Sequence, residues 1–286
     1  MCIRDRYNGG EYTVDYAAGI IEVKQTTLID DLIEKRGYLK KTGLPSYAGA
    51  TLSNANEDDE IIDVTDYRSL VGKALYINKV SRSDISNAVR QLSQHFDKPT
   101  LEHWKYLDKL ISYLHSTKDI GLVMTRRGND ENVMITGYCD SDYATEGDRK
   151  SISGYTVNLN GNTIAWKSKK QSCVTLSSTE AEYVAMSQCI TEMIFIRNLL
   201  RDMKVNIMEP MVLFEDNQGA IFLANNETTG QRMKHIDVRY HYIRDLVNNN
   251  KLELRYTRSE NNRADMLTKN VGEEKLSKFS REILGR

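Results

Sequence analysis

Apolar and polar positions change rhythm several times along the chain. Residues 12–14 and 20–23 alternate weakly on either side of Ala17-Ala18-Gly19, which predicts a small hairpin. Leu28, Leu32 and Ile33 then recur at helical spacing and predict a helix over 25–36. Residues 39–62 lose all periodicity, mix Gly, Pro, Ser and Asn with an acidic run, and read as a linker. Three helices are expected between Asp66 and Thr117, the first with Asp66 as its N-cap and the second capped by Ser83. The third opens at Pro99-Thr100 and carries the apolar stripe Trp104, Leu107, Leu110, Ile111, Leu114. Residues 121–125 read as a strand leading out of this helical part, and 126–132 as a turn-rich boundary.

Beyond that boundary the period switches toward two. Strands are expected at 133–140, 153–159 and 162–169, the last two joined by Asn160-Gly161-Asn162, a strong hairpin signal. A long helix over about 177–203 follows, then a strand at 211–216, a helix from about Asn217, a helix over 235–247, a strand at 251–256 and terminal helices. An antiparallel trio followed by helix-linked strands predicts an α/β fold, a mixed sheet with helices packed on it.

The chain has 286 residues, a net charge of -1 and 28% charged residues, ordinary for a globular protein of one large domain or two modest ones. No apolar run approaches the ~20 residues that cross a bilayer, so no membrane partner is expected. The opening MCIRDRYNGGEY has no apolar core of a secretory leader. Its abrupt start reads as a frame missing its upstream part, with the first few residues a scar. Four scattered cysteines, Cys2, Cys139, Cys173 and Cys189, form no CxxC pair, which argues against a zinc site and a disulfide framework and fits a reducing, intracellular setting. His95, His103 and His115 stand at no metal-ligand spacing and read as structural or surface residues.

Four acids draw attention: Asp140 in GYCDSDYA, Glu182 in SSTEAEY, Asp216 in LFEDNQGA and Asp265 in ENNRADMLTK. The long helix carries an apolar row Ala185, Cys189, Met193, Ile196, Leu200, and extending it back by three lands on Glu182. Glu182 is thus aimed inward, where an unpartnered charge is costly. Glu180, ~200° of helix rotation away, reads as a solvent-facing charge in the first turn behind an N-cap at Ser177 or Ser178. Val212, Phe214 and Asp216 share strand parity, and Asp216 ends its strand, a favoured site position in open sheets. Asp140 and Asp142 have the same parity and pattern does not separate them; Asp265 reads equally well as a charge at a helix start. Carboxylates gathered from distant segments repel unless cations lie between them, and two-metal phosphodiester cleavage is a common use of such a set. If these four acids hold metal, the rest of the second half is a basic surface, which permits nucleic-acid binding.

The words YCDSDYA, RKSISGYTVNLNGNTIAWKSKKQSCVTLSSTEAEYVAM, LFEDNQGAIFLANN, KHIDVRYHYIRD and NNRADMLTK, in this order, resemble the RNase H domain at the end of copia-type LTR retrotransposon Pol polyproteins. Residues 67–96 and 99–123 resemble that family's connecting segment, and 12–36 the trailing edge of its reverse transcriptase. The resemblance implies three parts: a reverse-transcriptase remnant and linker (1–62), a small helical connection segment (63–130), and an RNase H-like domain with a C-terminal tail (131–286). It implies a five-stranded mixed sheet whose first three strands are antiparallel, and hydrolysis of the RNA strand of RNA–DNA hybrids. It settles Asp140 over Asp142, and places one Mg²⁺ on Asp140 and Asp265 and a second on Asp140, Glu182 and Asp216, with Mn²⁺ able to substitute. Partners on this reading are the hybrid and the polymerase part of the same polyprotein, in a cytoplasmic virus-like particle or the nucleus. No Tyr-x-Asp-Asp turn is present, so no polymerase activity is expected.

Ser178 and Thr179, at a helix N-terminus, are suited to a phosphate or a 2′-hydroxyl. Gln218 is placed to reach a minor groove, and Lys169 and Lys170, with Lys167 and Trp166, to meet the DNA strand. Many cellular RNases H carry a loop histidine before the last acid; RYTRSENNRAD has none, and Arg255 and Arg258 are the nearby cations. His235 and His241 read as packing or nucleic-acid contacts. The alternative reading is an idle retroelement remnant that only binds nucleic acid or scaffolds a polymerase.

Overall fold

The computed structural model describes residues 2–37, 40–127, 132–145, 147–226 and 237–286. Its contacts divide the chain into two units, Met1–Arg126 with Lys269–Arg286, and Arg127–Thr268.

In the first unit, strands β1 (Cys2–Tyr7), β2 (Gly10–Asp15), β3 (Ile20–Lys24) and β4 (Leu122–Thr125) form an antiparallel sheet in the order β1-β2-β3-β4. The hairpin read from the sequence is its middle pair, with Tyr12 opposite Val23 and Val14 opposite Ile21. Strand β1 is exposed along its whole length, so no buried face marked it in the pattern. Helices α1 (Thr26–Arg36), α2 (Val64–Val80), α3 (Ser86–Ser93) and α4 (Leu101–Ser116) complete the unit. Helix α2 starts three residues earlier than expected: its N-cap is Asp63, whose carboxylate accepts the Asp66 N–H at 3.1 Å. Ser83 caps no α-helix; it begins a 3₁₀ turn, Ser83–Ile85, ahead of α3. Thr100 caps α4 with His103 reaching back to its N–H at 2.8 Å, and His103 stacks on His95 at 3.9 Å between ring centroids. Both histidines are structural here, as expected.

Two buried charges anchor this unit. Arg82 and Asp84, whose side chains are fully buried, are joined by Nε–Oδ1 and Nη2–Oδ2 bonds of 2.9 and 2.7 Å. The Tyr113 hydroxyl donates to the same carboxylate at 2.7 Å, and the remaining guanidinium protons reach the Thr117 carbonyl and hydroxyl. The sequence grouped the C-terminal tail with residues 131–268, whereas the contacts group 269–286 with residues 1–126. The cause is the terminal helix, Glu273–Ile283, which buries Leu276, Phe279 and Ile283, each worth ~1.5–3 kcal/mol when removed from water.

The second unit holds β5 (Val133–Asp142), β6 (Ile152–Leu159), β7 (Asn162–Lys170), α5 (Ser178–Asp202), β8 (Ile207–Glu215), α6 (Gln218–Asn225), α7 (Asp237–Asn248) and β9 (Leu252–Tyr256). The sheet runs β7-β6-β5-β8-β9. Pairs β5–β6 and β6–β7 are antiparallel and β5–β8 and β8–β9 parallel, the mixed RNase H-like sheet that was expected. Asn160 and Gly161 both take positive φ, 46° and 78°, the type I′ geometry that matches strand twist. Helix α5 lies on the central strands, burying Tyr183, Met186, Cys189, Ile190 and Met193 against Ile135, Val157 and Leu213. Its approach is close at Gly137, where a Cβ would meet Leu213 Cδ1 and Met193 Sδ at 2.8 Å and Cys189 Sγ at 2.9 Å. Any Cβ there would have to displace these side-chain ends.

Candidate active site

Asp140, Glu182 and Asp216 come together at one end of this sheet. A ligand oxygen from each lies within 4.8 Å of the others. Each reaches the site by a different local device. Asp140 stands near the end of β5 and is 1% exposed. The Thr268 hydroxyl donates to its Oδ2, and Asn262 Nδ2 donates to the neighbouring Cys139 carbonyl at 2.7 Å. Glu182 projects from the first turns of α5, on the row of Ala185 and Cys189 that faces the core. The helix phase read from the sequence holds, and Ser177 is the N-cap, accepting the Glu180 N–H at 3.2 Å.

Glu180 does not face solvent as expected. It is 3% exposed, and its Oε2 turns back to accept the Leu176 N–H at 2.6 Å. The capping bond draws this side chain out of the direction that its helical phase dictates.

Strand parity does not place Asp216, because β8 ends at Glu215. The residue that fixes the turn is Glu215 itself, which pattern reading passed over. It is fully buried; its Oε1 accepts the N–H groups of Asp216 and Asn217 at 3.1 and 3.0 Å, and its Oε2 accepts the Cys139 thiol at 3.0 Å. Asn217 then caps α6 by accepting the Ala220 N–H at 3.0 Å. An acid directly before a strand-end acid was the available signal for Glu215.

Asp265 lies in a 3₁₀ turn, Arg263–Leu267, not in an α-helix. It is buried, 3% exposed, but its carboxylate is outside the group formed by the other three. The turn is held beside β5 by the bonds of Asn262 and Thr268 already described. Arg263 lies over the Tyr138 ring at 4.1 Å, and Tyr138 stacks on Phe214 at 4.7 Å.

The electrostatics of the group follow from burial and like charge. The Glu182 carboxyl is pushed well above its ordinary range, first by burial and then by Glu215, Asp140 and Asp216. Glu215 is raised for the same leading reason, burial, with the Cys139 thiol and the Asn217 N–H pulling the other way. Burial and Glu215 push the Cys139 thiol up, so it is an inert donor and no nucleophile. Glu182 Oε2 is buried with no hydrogen-bond partner. Hard carboxylate oxygens, mutual repulsion and an orphaned acceptor together fit a divalent cation.

The expected substrate residues lie at the rim. Ser178 and Gln218 are exposed and Thr179 half-buried; Thr179 lies close to Gly219, so the starts of α5 and α6 are neighbours. Lys167 and Lys169 are exposed on β7, Trp166 is half-buried, and Lys170 pairs with Asp148 at 3.0 Å. Arg255 and Arg258 pair with Glu253 and Glu260 on the surface. His235 lies outside the described residues. No helix among the described residues is long and apolar enough to cross a membrane.

No protein-family model matches the chain. It is 37% identical over 222 residues to the retrovirus-related Pol polyprotein from transposon RE2 of Arabidopsis thaliana, covering 77% of this chain and 15% of that protein. It is 38% identical over 220 residues to the corresponding polyprotein from transposon TNT 1-94 of Nicotiana tabacum, covering 77% and 16%. The chain thus spans about a sixth of the length of these curated relatives. Among solved structures, LC11-RNase H1 from compost aligns with a TM-score of 0.37 at 18% identity, over 51% of this chain and 96% of that one.

Proposed function

Because the chain belongs to the Pol polyproteins of copia-type retrotransposons, we propose that it is a metal-dependent endonuclease of the RNase H type, hydrolysing the RNA strand of RNA–DNA hybrids. The observation that carries this reading is the convergence of Asp140, Glu182 and Asp216, with Glu182 Oε2 left unpartnered. Those three carboxylates, with Asp265 beside them, are the residues to hold Mg²⁺ or Mn²⁺. Bound divalent ions supply charge neutralisation for the carboxylates and polarise the scissile phosphodiester.

The rest of the work falls to the chain. Thr268 and Asn262 fix the Asp140 strand end, and Glu215 fixes the turn that presents Asp216. Ser178 and Thr179, at the α5 N-terminus, offer hydroxyls and free N–H groups to a phosphate or a 2′-hydroxyl, the group that separates RNA from DNA. Gln218 stands at the neighbouring helix start. Lys169 takes the DNA strand, with Lys170 sharing its charge with Asp148. Water adds to phosphorus in line with the departing 3′ oxygen, leaving 5′-phosphate and 3′-hydroxyl ends. The partners on this reading are the hybrid and the polymerase part of the same polyprotein, inside the cell.

The test is incubation of the purified chain with end-labelled RNA–DNA hybrid, with and without Mg²⁺ or Mn²⁺. The expected outcome is cutting of the RNA strand alone, dependent on the cation and reduced by at least ~10²–10³-fold in Asp140→Asn, the scale of losing one group that stabilises transition-state charge. A second reading, binding without cutting, is favoured by one observation, the place of the Asp265 carboxylate outside the group of three. Hybrid binding with no cutting at any Mg²⁺ or Mn²⁺ concentration would select it.

A further inference from the structure

The first unit carries a groove of about 450 Å³ that the nuclease site does not use. Lys40, Lys41, Lys105 and Lys109 line it, with Tyr47 and one acid, Asp108. That acid is already taken: Arg36 grips it with Nε on Oδ1 and Nη2 on Oδ2, the second bond at 2.9 Å. The groove therefore presents four cationic side chains with no acid left to balance them. Among the described residues no carboxylate lies within ion-pair distance of Lys40, Lys41 or Lys105, and all three are exposed.

The cations are arranged on a firm frame. Lys105 and Lys109 are four apart on α4, on one face and about 5–6 Å apart at Cβ, the scale of neighbouring phosphates along a strand. Lys109 Nζ is held 4.6 Å from the Tyr47 ring centroid and 3.4 Å from Thr42 Oγ1. The segment bearing Lys40 and Lys41 is tied to α4 where the Thr42 N–H donates to Ser116 Oγ at 3.0 Å. Tyr47 packs edge-on against Tyr106 at 4.7 Å and keeps 43% of its surface exposed.

We propose that this groove binds the phosphodiester backbone of a nucleic-acid strand, a second contact for the hybrid remote in sequence from the residues that cut it; the inference rests on the nuclease reading. Lysines act on phosphate as point charges, and the groove offers no Arg, Asn or Gln to read base edges, so the contact is independent of sequence. Tyr47, 43% exposed beside the lysines, adds an aromatic contact to the groove. A protein partner is disfavoured by the same composition, because the cores of protein interfaces are depleted in Lys and acidic residues.

The test uses the full chain carrying Asp140→Asn, so that no strand is cut, with a fluorescently labelled RNA–DNA hybrid followed by anisotropy between about 50 and 200 mM salt. Adding Lys105→Glu and Lys109→Glu is expected to weaken binding by ~10–100-fold at the low-salt end and to flatten the log–log salt slope by about two. Lys105→Gln with Lys109→Gln should give a smaller loss with the same change of slope, and thermal melts check that each variant folds. Reversing two exposed lysines elsewhere, Lys79→Glu and Lys204→Glu, is the control and should change binding by less than about threefold. Unaltered binding in the groove variants, an equal loss in the control, or equal competition by polyaspartate would overturn the proposal. A wild-type chain that cuts nothing, while the groove variants still lose hybrid, would sink the nuclease reading and leave the groove standing.

Discussion

Two buried acids, one in each unit, meet opposite fates. Asp84 is enclosed with its own cation: Arg82 takes both carboxylate oxygens, Tyr113 donates to one of them, and Thr117 absorbs the rest of the guanidinium. Glu182 is nearly as deep, yet the groups acting most strongly on it are three further acids, and one of its oxygens has no partner. The first arrangement is closed and serves the scaffold. The second is open, and on the proposed reading a cation closes it. Depth alone therefore does not mark a functional acid; the state of its partners does.

The largest expected effect tests the closed half. Arg82→Met strands Asp84 in the core and should cost ~3–5 kcal/mol, while Arg82→Met with Asp84→Leu should recover most of that loss. Chemical denaturation measures both, and a single variant costing under about 1 kcal/mol would erase the contrast. On the open side, Glu215→Ala releases the Asp216 and Asn217 amides and should weaken Mn²⁺ binding by ~10–100-fold, as for other groups that orient metal ligands. Glu215→Gln keeps an acceptor oxygen and should restore much of it. Equal Mn²⁺ affinity in the alanine variant, followed by titration calorimetry, would make Glu215 a core residue and nothing more.

The smallest effect is a pH dependence. The Glu182 carboxyl is raised above its ordinary 4.5 in the folded chain. Above that pH the unfolded chain has released a proton that the folded chain still holds, so this group's contribution to stability falls as pH rises. In EDTA, Glu182→Gln should therefore gain in melting temperature on the wild type as pH rises from about 5 to 6, a step worth up to ~1.4 kcal/mol. On the proposed reading Mg²⁺ should reverse the order, since the glutamine variant lacks one of the proposed ligands. A difference that is flat with pH in EDTA would mean that Glu182 is ionised and partnered after all.

How much of this was legible in the sequence depended on how local each cause was. Glu182 was readable because a long helix repeats its phase, and the Asn160-Gly161 hairpin because two residues fix the turn. Glu180 was misread because a capping bond, not phase, directs it. Glu215 was passed over because parity was carried one residue past the end of β8, so that Asp216 received the attention. Of the four-stranded sheet in the first unit, the central hairpin and the strand β4 were readable, but not β1, which has no buried face, nor the pairing of β4 with β3 from about a hundred residues away. Asp265 rested on a family resemblance throughout, and its 3₁₀ turn is shaped by Asn262 and Thr268, whose partners lie more than a hundred residues away.

Gly137 gives this site a dimension that its charged residues do not. Cys189 and Met193, whose sulfurs press on it, belong to the same row of α5 as Glu182, and Asp140 is three residues further along the strand. At this point the packing between helix and sheet leaves room for a hydrogen atom and no more, unless those side chains shift. A methyl group placed there would press on those sulfurs, and through them on the row that carries Glu182, without touching either carboxylate.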